Sequence, residues 1–191
     1  MNDGNGFRVG LPDWMAAFSA KLPRHLPTAR ERMAVAVSLA DQNMRHGTGG
    51  PFGALVVGAQ SGEVVALGVN RVESQQCSAA HAEIVALSLA QRLMGSWSLA
   101  DTRLGALQLV SSCEPCAMCF GAIPWSGVSS VLCGATTADA EAAGFDEGAK
   151  PRDWIAALEQ RGIEVRTGVL RDEASRVLAR YAAGGHTIYN P

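Results

Sequence analysis

The sequence predicts an α/β fold: a three-layer α/β/α domain built on a mixed sheet of about five strands with helices on both faces. Two observations predict it. Segments of helical and strand character follow one another in the order helix, strand, strand, helix, strand, helix, strand, helix, strand, helix, and the first two strands are joined by the turn-rich Gln60-Ser61-Gly62-Glu63. The chain of 191 residues also fits one domain, long enough to bury roughly 70% of its unfolded surface without staples.

Residues 1–27 contain Pro12, Pro23 and Pro27 and read as an irregular N-terminal arm with a short helix around residues 14–19. The domain proper is expected over residues 28–183. Thr28 followed by Glu31 is a capping-box pattern, and Met33, Ala36, Val37 and Ala40 continue it at helical spacing until Gly47. Residues 53–59 and 64–70 read as a hairpin, and Ile84, Leu87, Leu89 and Leu93 mark a helix over residues 80–93. A strand over 104–110, a helix over 114–125, a strand over 128–133 and a helical turn over 139–143 follow. Residues 151–160 read as a helix with proline in its first turn, 163–169 as a strand and 172–181 as the closing helix. The tail, residues 184–191, begins with two glycines and ends in apolar and aromatic groups, which suits docking onto a surface.

Composition narrows the function classes. The formal charge of -2 offers no bulk attraction for a phosphate backbone, so no nucleic-acid partner is expected and a small neutral substrate suits the chain better. No stretch approaches the roughly 20 apolar residues of a membrane span, and the first ten residues lack a secretory pattern, so a soluble cytoplasmic protein with no membrane partner is expected. The cysteines number five, an odd count with two at metal-ligand spacing, which argues against a disulfide framework.

The chemistry concentrates in His81-Ala82-Glu83 and Pro115-Cys116-Ala117-Met118-Cys119. Cys116 and Cys119 lie three apart, so a helix start presents both to one metal ion and its dipole favours their thiolates. His81 completes a Cys2His set. Zinc takes four ligands, and the remaining position suits a water whose pKa the ion lowers toward 7. Glu83 stands about 200° around an ideal helix from His81, so both face one metal region only in the opening turn, where Glu83 could move protons without binding zinc. A closed Cys3His site with Cys113 as fourth ligand is the structural alternative, and it would make the chain a zinc-stabilised, non-catalytic module.

These residues match the His-x-Glu and Pro-Cys-x-x-Cys signature of zinc-dependent nucleobase deaminases. Over residues 28–191 the chain resembles the cytidine deaminase superfamily and, within it, the short bacterial guanine deaminases. The motifs shared are Gly49-Gly50-Pro51-Phe52-Gly53-Ala54, Ala80-His81-Ala82-Glu83, Ser112-Cys113-Glu114-Pro115-Cys116-Ala117-Met118-Cys119, Gly121-Ala122-Ile123-Pro124-Trp125 and Ala142-Ala143-Gly144-Phe145-Asp146-Glu147-Gly148. The zinc motif marks the superfamily; the Ala-Gly-Phe-Asp-Glu segment and the aromatic tail point to the guanine type.

The resemblance implies a zinc ion in each subunit, held by His81, Cys116 and Cys119 with a catalytic water, and catalytic roles for Glu83 and Glu147. It implies that Phe52, Trp125 and Phe145 contact the base, that Asn70 hydrogen-bonds it and that Tyr189 closes the pocket. It also implies a homodimer and hydrolysis of guanine to xanthine and ammonia. From the residues alone, Phe52 and Trp125 read equally as core aromatics, Asn70 as a turn residue and Glu147 as part of a solvated loop. Ammeline, guanosine and cytosine remain alternative substrates, because they share the amidine-like carbon.

Overall fold

The computed structural model describes residues 8–189. The first seven residues of the arm and the last two of the tail lie outside that range. The arm holds α1 (Trp14–Ser19), after which Thr28 caps α2 (Ala29–Arg45). Thr28 Oγ1 accepts from the Glu31 N–H at 3.2 Å and Glu31 Oε2 accepts from the Thr28 N–H at 2.9 Å, so the predicted capping box is complete. The hairpin β1 (Gly53–Gly58) and β2 (Val64–Val69) leads to α3 (Ala82–Met94). Then come β3 (Leu107–Cys113), α4 (Ala117–Ser126), β4 (Ser130–Ala135), α5 (Thr137–Ala142), α6 (Trp154–Glu159), β5 (Glu164–Arg166) and α7 (Arg171–Ala183).

The strands lie in the order β2-β1-β3-β4-β5. β1 runs antiparallel to both neighbours, whereas β3, β4 and β5 are mutually parallel, so the sheet is mixed as predicted. Every residue of β1 is buried because the two faces are covered by different helices. Ala54 and Val56 pack with Ala86 and Ala90 of α3, while Leu55 and Val57, on the opposite face, pack with Met33 and Leu39 of α2. Ile123 of α4 and Leu158 of α6 join the α3 layer. α7 lies beside α2, its Leu178 and Tyr181 buried against Phe145. Met15 and Leu26 of the arm are buried in the same cluster as Met33. No helix among the described residues is long and apolar enough to cross a membrane.

Several boundaries differ from expectation. β3 spans Leu107–Cys113 rather than 104–110, because Ser111 sits between two partners, Ala54 and Cys133, and Cys113 still pairs with Ala135. Polar residues at a strand end look like a boundary until both neighbouring ladders are known. α4 starts at Ala117, leaving Glu114-Pro115-Cys116 as an extended link, and the strand expected over 163–169 shortens to the edge strand β5.

Candidate active site

The starts of α3 and α4 converge. His81 is the N-cap residue of α3 and Cys116 that of α4, both with extended backbone, while Glu83 and Cys119 belong to the first turns. His81 Nδ1 lies 3.5 Å from Cys116 Sγ and 3.7 Å from Cys119 Sγ. The three candidate ligand atoms all fall within 4.8 Å of one another. Two thiols and an imidazole gathered this closely, at positive helix ends, fit a Zn²⁺ ion by donor chemistry and by size. A hydrogen bond from Cys119, reinforced by one from His81, holds the Cys116 thiol down to about 4. The Cys116 thiolate is thus already the form a metal needs.

Cys113 does not join this group. Its buried thiol points to the Thr136 carbonyl, 3.7 Å away, and burial pushes its pKa well above the usual thiol value. The closed Cys3His site is therefore not formed, and a zinc ion held by His81, Cys116 and Cys119 would have room for a water as its fourth ligand.

Glu83 is buried and outside the ligand group; Ser111 Oγ donates to its Oε1 at 3.1 Å. Burial raises its pKa, the Cys116 charge adds to this, and His81 opposes it. A carboxylate held off the metal with a raised pKa has the properties of a proton carrier.

A cavity of about 320 Å³ opens above these groups. Phe52, Asn70, Phe145, Glu147 and Tyr189 all line it together with His81 and Glu83. The Phe52 and Phe145 rings meet edge-on at 4.9 Å, and Tyr189 packs on Phe145 at 5.5 Å and on His81 at 6.4 Å. Tyr189 fits because residue 50 is glycine: a Cβ there would lie 2.5 Å from the tyrosine hydroxyl. The tail that carries it is held by Tyr181, whose hydroxyl donates to the Thr187 carbonyl at 2.7 Å and whose ring stacks on His186. The loop bearing Glu147 is tied down by the Ala117 N–H, which donates to the Glu147 carbonyl at 2.8 Å. Burial, with the Cys116 and Glu83 charges, pushes the Glu147 carboxyl up to about 8.

Trp125 departs from expectation. It is not part of the cavity wall and is 81% exposed. Met118, in the first turn of α4, does line the cavity; Trp125 lies seven residues on, roughly 10 Å along the helix axis, and one chain cannot bring it back. Conversely, sequence reasoning passed over Ser111, which holds Glu83, and Glu114 and Asp146, which line the cavity. Extending β3 by three residues would have placed Ser111 on the sheet beside the site.

Residues 27–135 match the family model described as the cytidine and deoxycytidylate deaminase zinc-binding region. The chain belongs to this family of zinc-binding deaminases. It is similar to the guanine deaminase of Bacillus subtilis (strain 168), 38% identical over 128 residues that cover 67% of this chain and 78% of that one. Among solved structures it is similar to guanine deaminase from Nitrosomonas europaea, at 46% identity and a TM-score of 0.89, covering 96% of this chain and 98% of the other. A crystal structure of a mutant protein in complex with 8-azaguanine is equally similar, at 46% identity and a TM-score of 0.90, covering 97% and 99% of the two chains.

Proposed function

We propose that this chain is a zinc-dependent aminohydrolase that converts guanine and water to xanthine and ammonia. One observation carries the reading. Among the described residues, three buried side-chain polar atoms lack a hydrogen-bond partner, Asn70 Nδ2, Glu147 Oε2 and Tyr189 Oη, and all three residues line the cavity beside the zinc ligands. Buried polar groups are rarely left unpaired, so this set marks the place of an absent polar ligand. The aromatic walls of Phe52 and Phe145 suit a flat ring, and the relatives that act on guanine or bind 8-azaguanine support a purine.

His81, Cys116 and Cys119 would hold the zinc ion, which, when bound, supplies a Lewis acid that lowers the pKa of water toward 7. Glu83, buried and steadied by Ser111, takes one proton from the attacking water and delivers it to N3 as the oxygen bonds to C2. Glu147, whose carboxyl is raised by burial, gives a proton to the exocyclic amine as the C2–N bond breaks. The remaining proton of the former water then returns Glu147 to its acid form, leaving C2 as a carbonyl and ammonia free. Phe52 and Phe145 hold the ring, Asn70 donates to it, and Tyr189 seals the cavity from solvent.

The assembly belongs to the same reading. Trp125 and Met118 are exposed by 81% and 39% on one helix that borders the cavity, and a second copy of the chain would cover them as a homodimer. A cytoplasmic location suits the five free cysteines, two of which the zinc ion needs as thiolates. The test is ammonia release by the zinc-loaded protein from guanine, guanosine, ammeline and cytosine, with Glu83→Gln as control. Guanine turnover lost in the control is expected; preference for another ring would move the substrate assignment, and turnover persisting in Glu83→Gln would remove Glu83 from its role.

A further inference from the structure

Asn70 is fully buried at the cavity wall, and its amide is fixed in one orientation. The N–H groups of Val72 and Gly50 both donate to Asn70 Oδ1, at 3.2 and 3.4 Å, which leaves Nδ2 buried without a partner on a residue that lines the cavity. An amide nitrogen could not occupy the Oδ1 position opposite two donors. Asn70 is therefore a donor-only contact that selects an acceptor on the ring.

The strands of chain that hold this orientation lead away from the cavity. Asn43, also fully buried, donates from Nδ2 to the carbonyls of both Asn70 and Gly50, each at 2.9 Å, and so pins the two backbone segments that meet at the Asn70 amide. Gly49 lets them close: a Cβ there would lie 2.0 Å from the Asn70 carbonyl oxygen. The Asn43 amide is itself oriented by Thr48 Oγ1, which donates to Asn43 Oδ1 at 2.8 Å and accepts from Trp14 Nε1 at 3.0 Å. Arg71 completes the network, donating to the Thr48 carbonyl at 2.6 Å and to the Gly10 carbonyl at 3.0 Å. The N-terminal arm thus reaches Asn70 through hydrogen bonds at every step, although none of its described residues lines the cavity.

We propose that the arm is a specificity device for the site: Trp14, Thr48 and Asn43 are positioning residues that keep Asn70 in its donor-only orientation toward the purine. The proposal rests on the guanine reading above. Chains of oriented hydrogen bonds act as a unit, so a break in the middle is felt at the end.

The test is a double-mutant cycle on kcat/KM for guanine, with zinc content measured on every variant. Thr48→Val is expected to lower kcat/KM by roughly 10-fold and Asn70→Ala by roughly 10- to 100-fold, the range for losing a buried hydrogen bond. The double variant is expected to be no worse than Asn70→Ala alone, because Thr48 acts only through Asn70. Trp14→Phe keeps the ring that stacks on His46 and meets Phe18, and should give a smaller loss that also vanishes in the Asn70→Ala background. Multiplying losses with unchanged zinc would show a general structural role and overturn the proposal, as would Thr48→Val or Trp14→Phe with wild-type kinetics. A wild-type protein with no guanine turnover would overturn the functional reading and this proposal with it.

Discussion

The metal end of the cavity and its aromatic end are built on different plans. At the metal end, His81, Glu83, Cys116 and Cys119 come from two short sequence segments at two helix starts, and the groups already contact one another or a neighbour such as Ser111. At the other end, Phe52, Asn70, Phe145, Glu147 and Tyr189 come from segments spread over most of the chain, and three of those side chains present unpaired polar atoms. The first end is complete within itself once a metal is bound. The second still has those three polar atoms to pair. Chemistry and recognition can therefore be damaged separately, and four substitutions probe how far that separation goes.

The largest effect is expected at Glu83, where Glu83→Gln keeps the zinc ligands intact but removes the proton carrier. Turnover should fall by at least about 10²- to 10⁴-fold with one zinc per chain retained, measured by ammonia release and metal analysis. Loss of zinc together with activity would mean that Glu83 supports the metal site rather than the chemistry. Glu147→Gln comes next, with a loss of the order of 10²-fold or more in kcat and a smaller change in KM, since the carboxyl is to act on the leaving amine. A pure KM effect would reassign Glu147 from the chemical step to binding.

Gly50→Ala sharpens the comparison from the recognition side. The added Cβ meets the Tyr189 ring, so the tail should be displaced, with KM for guanine raised by roughly 3- to 30-fold, zinc binding unchanged and the tail cleaved faster by protease. Unchanged KM would show that the tyrosine is not part of the grip on the base.

The smallest effect is expected remote from both ends. Asp139 caps α5 through Thr136 and is paired with Arg171 at 2.8 Å; this pairing, with the cap hydrogen bonds, holds its carboxyl well below the usual carboxylate range. A depressed folded-state pKa contributes stability that is present above the unfolded value of about 4 and lost as pH falls below it. Asp139→Asn should therefore cost about 1 kcal/mol near neutrality by thermal unfolding, and the gap to wild type should narrow below about pH 4. Guanine kinetics should not move.

Legibility in the sequence follows the same division. The capping box at Thr28 and Glu31, the hairpin around Gly62 and the metal ligands at His81, Cys116 and Cys119 were all readable, because each depends on residues within a few positions of one another. The end of β3 was misplaced because its continuation through Ser111 and Cys113 depends on ladders to β1 and β4. Trp125 was expected at the base, yet its own helix carries it out of this chain's cavity. Ser111 gave no local signal at all, since its meaning lies in a glutamate 28 residues away on another element.

The α/β class and the metal were within reach of the sequence alone, because hydrophobic period, helix caps and ligand spacing are short-range properties of a chain. Which group Cys113 meets, which end of the Asn70 amide is held by backbone N–H groups, and that the N-terminal arm stands behind it are matters of tertiary structure. Those outcomes depend on which distant groups share a buried space, and in that space every unpaired polar atom is costly enough to fix its neighbours' orientation.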